Sequence, residues 1–346
     1  MVLDRRWTVK DVAAHAGVSP ATVSRVLAGN YPVATATRSR VMTAVRALDY
    51  VVNAQARALK GSGTKTVAFV VSDVTGPFFA HVAHGVEQQA TEEGRLCLVC
   101  TTHDDPDREL AVIDLMREQR ADAVVLVGGG YESTAYHERM VRLAHALDDA
   151  GSRLVLCGRP SLGHGVPSTV VEYDNEGGAY AVVSHLLSRG HRKIAYLGAQ
   201  RDFTTTTARI RGFAQAHEAM GLAADPDLIV EGTFSRSFGY TATQQLLTAR
   251  RDVTAVFAAT DMIAAGVLRA IRDLGLRCPE DISVVGYDDV PFAADLFPAL
   301  TTVHIPTEDL GRTAVRLALH RDEYETSQHV VLGTHLVVRD SVAAPA

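Results

Sequence analysis

Apolar residues recur at helical spacing in three short stretches near the N-terminus. Val9, Val12 and Ala13 define the first, opened by Thr8 with Asp11 three residues on, the pattern of a capping box. Gly17 suits the left-handed position that ends such a helix. Ser19-Pro20 opens the second, a serine cap followed by a proline where the missing N–H costs nothing. Val23, Val26 and Leu27 give it one apolar face. The third, about Thr37 to Leu48, gathers Val41, Ala44, Val45 and Leu48 on one side. Three short helices around one small core are expected.

Beyond Gly61-Ser62-Gly63, which is flexible linker chemistry, the period changes. Thr66 to Val71 reads as a buried strand and Phe79 to Glu93 as an amphipathic helix. Leu96–Val99, Val124–Val127, Leu154–Leu156 and Val170–Val171 continue the strand series with helical stretches between them. A second series follows at Lys193–Gly198, Val253–Ala258 and Ile282–Gly286. Short apolar strands alternating with helices predict parallel sheets covered on both faces. Two series predict two doubly wound lobes with a cleft between them. The expected organisation is a helical head at 1–51, a linking segment at 52–65 and a two-lobed α/β core at 66–346. Ala343 to Ala346 are expected to fray.

Charge sharpens this division. Residues 1–65 carry ten Lys or Arg against three acids, whereas the other 281 carry 24 against 37. A basic head on an acidic body suggests that only the head meets a polyanion. No run of 18 apolar residues predicts a membrane span. The basic N-terminal residues have no apolar stretch behind them, so no secretory signal is expected. Four scattered cysteines make no disulfide framework and fit a reducing cytoplasm.

The first two helices are separated by a short turn containing glycine, the signature of a helix-turn-helix unit. Its second helix would enter the major groove N-terminus first, presenting Pro20, Ala21, Thr22, Ser24 and Arg25. Hydroxyls and a helix N-terminus suit phosphates, and Arg can reach a guanine bidentately. Helical hairpins also occur in proteins that never touch DNA.

The stretch TVKDVAAHAGVSPATVSRVL, with TRSRVMTAVRALDYVVNAQARALKG after it, strongly resembles the head of the lactose/galactose-repressor (LacI/GalR) family. The resemblance implies a ligand-controlled transcriptional regulator that binds a near-palindromic operator as a homodimer. It places Pro20 and Ala21 at the variable pair that selects bases and Arg25 at a guanine-contacting position. Thr8, Ser19, Thr22, Ser24 and Asn30 match phosphate-contacting positions. Asn53 to Leu59 matches a hinge helix, with Asn53 and Ala56 facing DNA and Leu59 as a minor-groove wedge. Such a wedge unstacks a base step at a cost offset by the bend it creates. The chain departs from the family in having Val52 where proline precedes the hinge asparagine, and Ala34 where a serine caps the third helix.

The resemblance continues at Pro77-Phe78-Phe79, Gly190 to Ile194, Arg209 to Phe213 and Val285 to Asp289. It implies a core like the periplasmic sugar-binding proteins, closing on a small polar ligand. Sugars and nucleobases want aromatic faces and charged forks. The candidates are Phe78, Phe79 and Phe234 for stacking, Arg209 as bidentate donor, Asp288 as acceptor, and Thr260 with Asp261. The aromatics could equally be core residues, and Arg209 with Asp288 a structural ion pair. Gly158 stands where the family often has an acid, and Thr260-Asp261 where Asn-Asp is frequent. A sugar is the first expectation for the effector and a nucleobase or nucleoside the second.

Other signals are weaker. Cys97 and Cys100 form C-x-x-C, but a strand would point them to opposite faces, so no metal site is expected. His81 and His84 share a helix face without a further ligand. Gly128-Gly129-Gly130 lacks the rest of a phosphate loop and reads as a turn. Neither G-x-S-x-G nor H-E-x-x-H is present, so no cofactor or catalytic role is expected. A solute-binding protein would have no use for the basic head, and a nucleotide-dependent enzyme would need a phosphate loop.

Overall fold

The computed structural model describes residues 7–28, 31–51, 64–320 and 328–345. The chain forms two compact units, Met1–Thr64 and Lys65–Ala346.

In the first unit, helix α1 (Val9–Ala16) starts at a reciprocal capping box between Thr8 and Asp11 and stops at Gly17, whose φ of 63° is left-handed. Helix α2 (Pro20–Ala28) is capped by the Ser19 hydroxyl, which accepts from the Thr22 N–H at 3.1 Å. Helix α3 (Thr35–Ala47) begins two residues before the pattern predicts, and its capping position, Ala34, provides no side-chain bond. Val12, Ala13, Ala16, Val23, Val26, Val41 and Ala44 make the small core.

The second unit holds two parallel sheets. Strands β1 (Thr66–Val71), β2 (Leu96–Thr101), β3 (Ala123–Val127), β4 (Arg153–Cys157) and β5 (Ser168–Tyr173) belong to the first sheet, and β6 (Ile194–Ala199), β7 (Ile229–Glu231), β8 (Ala255–Ala258) and β9 (Ser283–Val285) to the second. A late strand, β11 (Gln328–Leu332), returns to the first sheet, whose order is β11-β5-β4-β3-β1-β2. The second sheet runs β7-β6-β8-β9. Beside it β10 (Thr302–His304) and β12 (His335–Val337) pair antiparallel. The chain therefore passes between the lobes three times: after β5, after β10 and after β11.

Helices cover both faces, and one pair of them meets through two glycines. Gly85 in Pro77–Glu92 and Gly311 in Thr307–Leu319 each lie against the other helix's backbone, so an added Cβ would sit 2.1 Å from the Glu308 carbonyl oxygen or 2.3 Å from that of Val82. Cys97 packs into the core on one face of the first sheet and Cys100 into that on the other. Strand β2 is an edge strand with Leu96, Leu98 and Val99 exposed, Leu96 by 71%.

One expectation is corrected at the C-terminus. Ala343 is tied down: its carbonyl oxygen lies 2.9 Å from the His191 ring and accepts from the Ser283 hydroxyl, and its N–H donates back to Ser283. Three hydrogen bonds hold a backbone that composition alone marks as loose.

The uncapped α3 gives a direct test. Ala34 is exposed with extended ψ of 136°, a conformation that suits a capping serine. Ala34→Ser should stabilise the head by about 1 kcal/mol, raising the head's transition in scanning calorimetry of the full chain.

Candidate functional site

On the head, the capping arrangement fixes which way α2 presents itself. Val23 and Val26 are buried in the core, which leaves Ser19, Pro20, Ala21 and Arg25 exposed and Thr22 and Ser24 half-buried. The Ser19 and Thr22 hydroxyls lie 2.9 Å apart at the helix N-terminus. Two hydroxyls at the helix N-terminus and the exposed Arg25 guanidinium further along the helix make a set able to meet phosphates and base edges. Thr8 is exposed beside α1. Asn30, Asn53, Ala56 and Leu59 lie outside the described residues.

In the second unit, loops at the C-terminal ends of strands from both sheets enclose a cavity of about 380 Å³, within the range of small-molecule sites. Phe78, Phe79, Arg209, Phe234, Thr260 and Asp288 all line it. Arg209, 1% exposed, projects from helix Thr204–Ala219. Its Nε donates to Asn175 Oδ1 at 2.9 Å and its Nη1 to the Ala259 carbonyl. Its Nη2 lies 3.7 Å from Asp288 Oδ1, and its guanidinium carbon stacks 3.7 Å from the Tyr287 ring centroid. Asp288 is held at a φ of 115°, a region L-residues rarely adopt. Backbone bonds to Val303 and Ile305 hold it there. The next residue, Asp289, is clamped by Arg339 at 2.7 Å and His304 at 2.9 Å.

Asp261 stands apart from the other candidates. It is fully buried, with Oδ1 accepting from the Thr302 hydroxyl and Oδ2 from the Val290 N–H, and it does not line the cavity. Its neighbour Thr260 caps helix Asp261–Asp273 and does reach the cavity wall. Burial pushes the Asp288 carboxyl up to about 7, with Arg209 pulling it back. Burial and the nearby charge of Asp288 raise Asp261 well above the usual carboxylate range.

The lobes meet directly at the cavity wall. Thr204 N–H donates to the Gly130 carbonyl at 3.0 Å, Gly130 N–H to the Thr204 hydroxyl at 2.9 Å, and Glu132 N–H to the Asp202 carbonyl at 2.8 Å. Gly129 permits this approach, since a Cβ there would lie 2.6 Å from the Phe203 ring. Behind this wall Arg159 grips Glu109 with both terminal nitrogens, at 2.9 and 3.1 Å, while its Nε bonds the Gly128 carbonyl. The Tyr136 hydroxyl also donates to Glu109.

Comparison with known proteins bears on both units. Residues 8–53 match the model of the lacI family of bacterial regulatory proteins, and residues 183–342 that of a periplasmic binding protein-like domain. The transcriptional regulator CelR of Thermobifida fusca is 38% identical over 97% of this chain and 98% of its own length. The transcriptional repressor PurR of Aliivibrio salmonicida is 34% identical over 97% and 98%. The chain belongs to the LacI family. Solved structures agree with this. The Lac repressor dimer bound to operator and the anti-inducer ONPF superposes with a TM-score of 0.83 at 26% identity, over 98% of this chain and all of that one. A CelR–cellobiose complex does so with a TM-score of 0.70 at 36% identity, over 97% and 100%. As a LacI-family member the protein is a DNA-binding transcriptional regulator and not an enzyme. Among the described residues no group of acids, histidines and cysteines could hold a metal ion, and no helix is long and apolar enough to cross a membrane.

Sequence reasoning missed Tyr131, Phe203, Tyr173, Glu109 and Arg159, which also line the cavity. Glu109 sits in the first turn of helix Pro106–Glu118, where an acid ordinarily complements the helix dipole in solvent. Arg159 follows Gly158, a noted departure, and the Gly128–Gly130 turn that looked featureless is the seam between the lobes.

The acid pair predicts a pH dependence. Between about pH 4 and 7 the folded chain holds a proton that the unfolded chain releases, so stability falls as pH rises through that window. Asp288→Asn should flatten this fall in thermal melting profiles; an unchanged slope would assign it elsewhere.

Proposed function

We propose that the protein is an operator-binding repressor that acts as a homodimer and is controlled by a sugar held in the inter-lobe cleft. The observation that carries the sugar reading is the pairing of aromatic walls with a guanidinium–carboxylate pair inside one cleft, the combination that hydroxyl-rich rings require. The cellobiose found in the CelR complex points the same way. Arg209 and Asp288 bond ligand hydroxyls, Phe78, Phe79 and Phe234 give apolar faces, and Thr260 orients. Asp261 acts from beneath, its carboxyl raised by burial and by the nearby charge of Asp288.

The head reads DNA through Pro20, Ala21 and Arg25, with Thr8, Ser19, Thr22, Ser24 and Asn30 on phosphates. Residues 52–65 serve as hinge and linker, Asn53 and Ala56 facing DNA and Leu59 wedging into the minor groove. A helix this short is marginal alone, so it forms when two copies and DNA come together. The open edge of β2, with its exposed Leu96, Leu98 and Val99, is a surface a second copy covers, as sheet edges of this kind demand. Ligand that contacts one lobe arrangement better shifts the population toward it and so changes how the two heads are spaced. The protein works on the nucleoid.

Selection of genomic fragments on the purified protein tests this reading. A near-palindromic motif should be enriched, with affinity falling steeply as salt rises; absence of any enriched motif overturns it. On that operator, Arg25→Ala should cost about 1–3 kcal/mol. Arg209→Ala should retain operator affinity and lose the effector response; a fully responsive variant would remove Arg209 from the site.

A further inference from the structure

The outward face of helix α2 has an uneven chemistry. Val23 and Val26 are buried, whereas Pro20, Ala21, Arg25 and Ala28 are exposed. Ala21, Arg25 and Ala28 follow at intervals of four and three, so they share one face, and Pro20 lies beside Ala21 on the first turn. The hydroxyls at this end are engaged with the cap and with each other. Ser19 Oγ accepts from the Thr22 N–H at 3.1 Å and lies 2.9 Å from Thr22 Oγ1. The helix therefore leads with a pyrrolidine ring and a methyl group, and the exposed Arg25 guanidinium stands one turn further on.

Base edges in the major groove differ in what such a surface can use. Purines present acceptors, cytosine and adenine an amino donor, and thymine alone adds a C5 methyl group. Neither the Pro20 ring nor the Ala21 methyl can discriminate by hydrogen bonding. A polar base edge pressed against them loses its water with no partner in exchange, which is unfavourable. A thymine methyl gains from the same contact, because both apolar surfaces leave water. Ala21 and Arg25 are four residues apart, about 6 Å along the helix axis, close to two base steps of about 3.4 Å. The methyl and the guanidinium thus reach bases of the same half-site.

Resting on the operator reading above, we propose that Ala21, flanked by Pro20, selects a thymine in each half-site through its C5 methyl group, while Arg25 reads a guanine nearby. The test uses the full chain and the operator recovered by genomic selection, with binding followed by fluorescence anisotropy. Each thymine is replaced in turn, in both half-sites, by deoxyuridine, which removes the methyl and keeps every base-pairing and groove hydrogen bond. One position should respond, losing about fourfold for each methyl removed, the scale of one buried CH2, and so about fifteenfold for the pair. Ala21→Gly and Ala21→Gln should each bind the thymine and deoxyuridine operators alike. A weakened helix lowers affinity for both operators together and leaves that ratio unmoved, and melting of the variants checks that the head folds. Half-sites without a fixed thymine, no methyl-sensitive position, or a sensitivity that survives in both variants overturns the proposal and leaves the operator reading standing. Absence of any enriched motif overturns both.

Discussion

A guanidinium with 1% of its surface exposed lies at the centre of the core. Removing such a charge from water costs several kcal/mol unless each of its donors finds a partner, and the four partners of Arg209 come from three separate segments. Asn175 comes from the helix that follows the first passage between lobes, and Ala259 from the end of β8. Tyr287 stacks beneath it, and Asp288 supplies the opposite charge. Each of these must be in place before the charge is tolerable. The cost of burying Arg209 therefore makes the second lobe's loops mutually dependent, and the cavity inherits that rigidity.

The carboxylates extend the same constraint. Asp288 is held in a strained left-handed conformation, worth about 1–3 kcal/mol for such a residue, and the strain is offset by the strand-like bonds to Val303 and Ile305. Asp261 sits below it with the Thr302 hydroxyl and Val290 N–H as its partners. Two acids in one buried neighbourhood cannot both ionise freely. A ligand that donates hydroxyl hydrogens to Asp288 favours its ionised form, so occupancy of the cleft and proton release are linked. The seam at Gly130, Glu132 and Thr204 is what a change of lobe arrangement must break, two backbone hydrogen bonds and one to the Thr204 hydroxyl.

Most of the head and the order of strands and helices were legible because each rests on local chemistry. A capping threonine, a serine before proline and a left-handed glycine act over three or four residues, and β1 matches its apolar run at both ends. What was not legible depends on where distant segments meet. Strands β10 and β12 have three residues each, too few for a period to show, and nothing local tells Gln328–Leu332 to rejoin the first sheet while His335–Val337 joins the second lobe. The cavity residues divide along the same line. Arg209 and Asp288 could be found from matching motifs, whereas Glu109 and Arg159, 50 residues apart, have meaning only once the first sheet sets them face to face. Asp261 shows the converse error: adjacency to Thr260 suggested a shared role, but the start of a helix turns consecutive side chains in different directions.

That divergence within a dipeptide carries the last step. Thr260 spends its hydroxyl on capping Ile263 N–H at 3.3 Å and still borders the cavity, while Asp261 points into the lobe toward β10 and the loop at Val290. Strand β10 lies immediately before the second passage between the lobes. Through Asp261, which feels the charge of Asp288 and accepts from the Thr302 hydroxyl, the charge state of the cleft is thus coupled to one of the three connections about which the lobes can move. The family's heads are far from the cavity in sequence, yet the backbone of the cavity-lining Asp288 is itself bonded to Val303 and Ile305 of a crossover segment. A short, stiff path of this kind lets a change at Asp288 alter the preferred lobe arrangement without any rearrangement of the sheets.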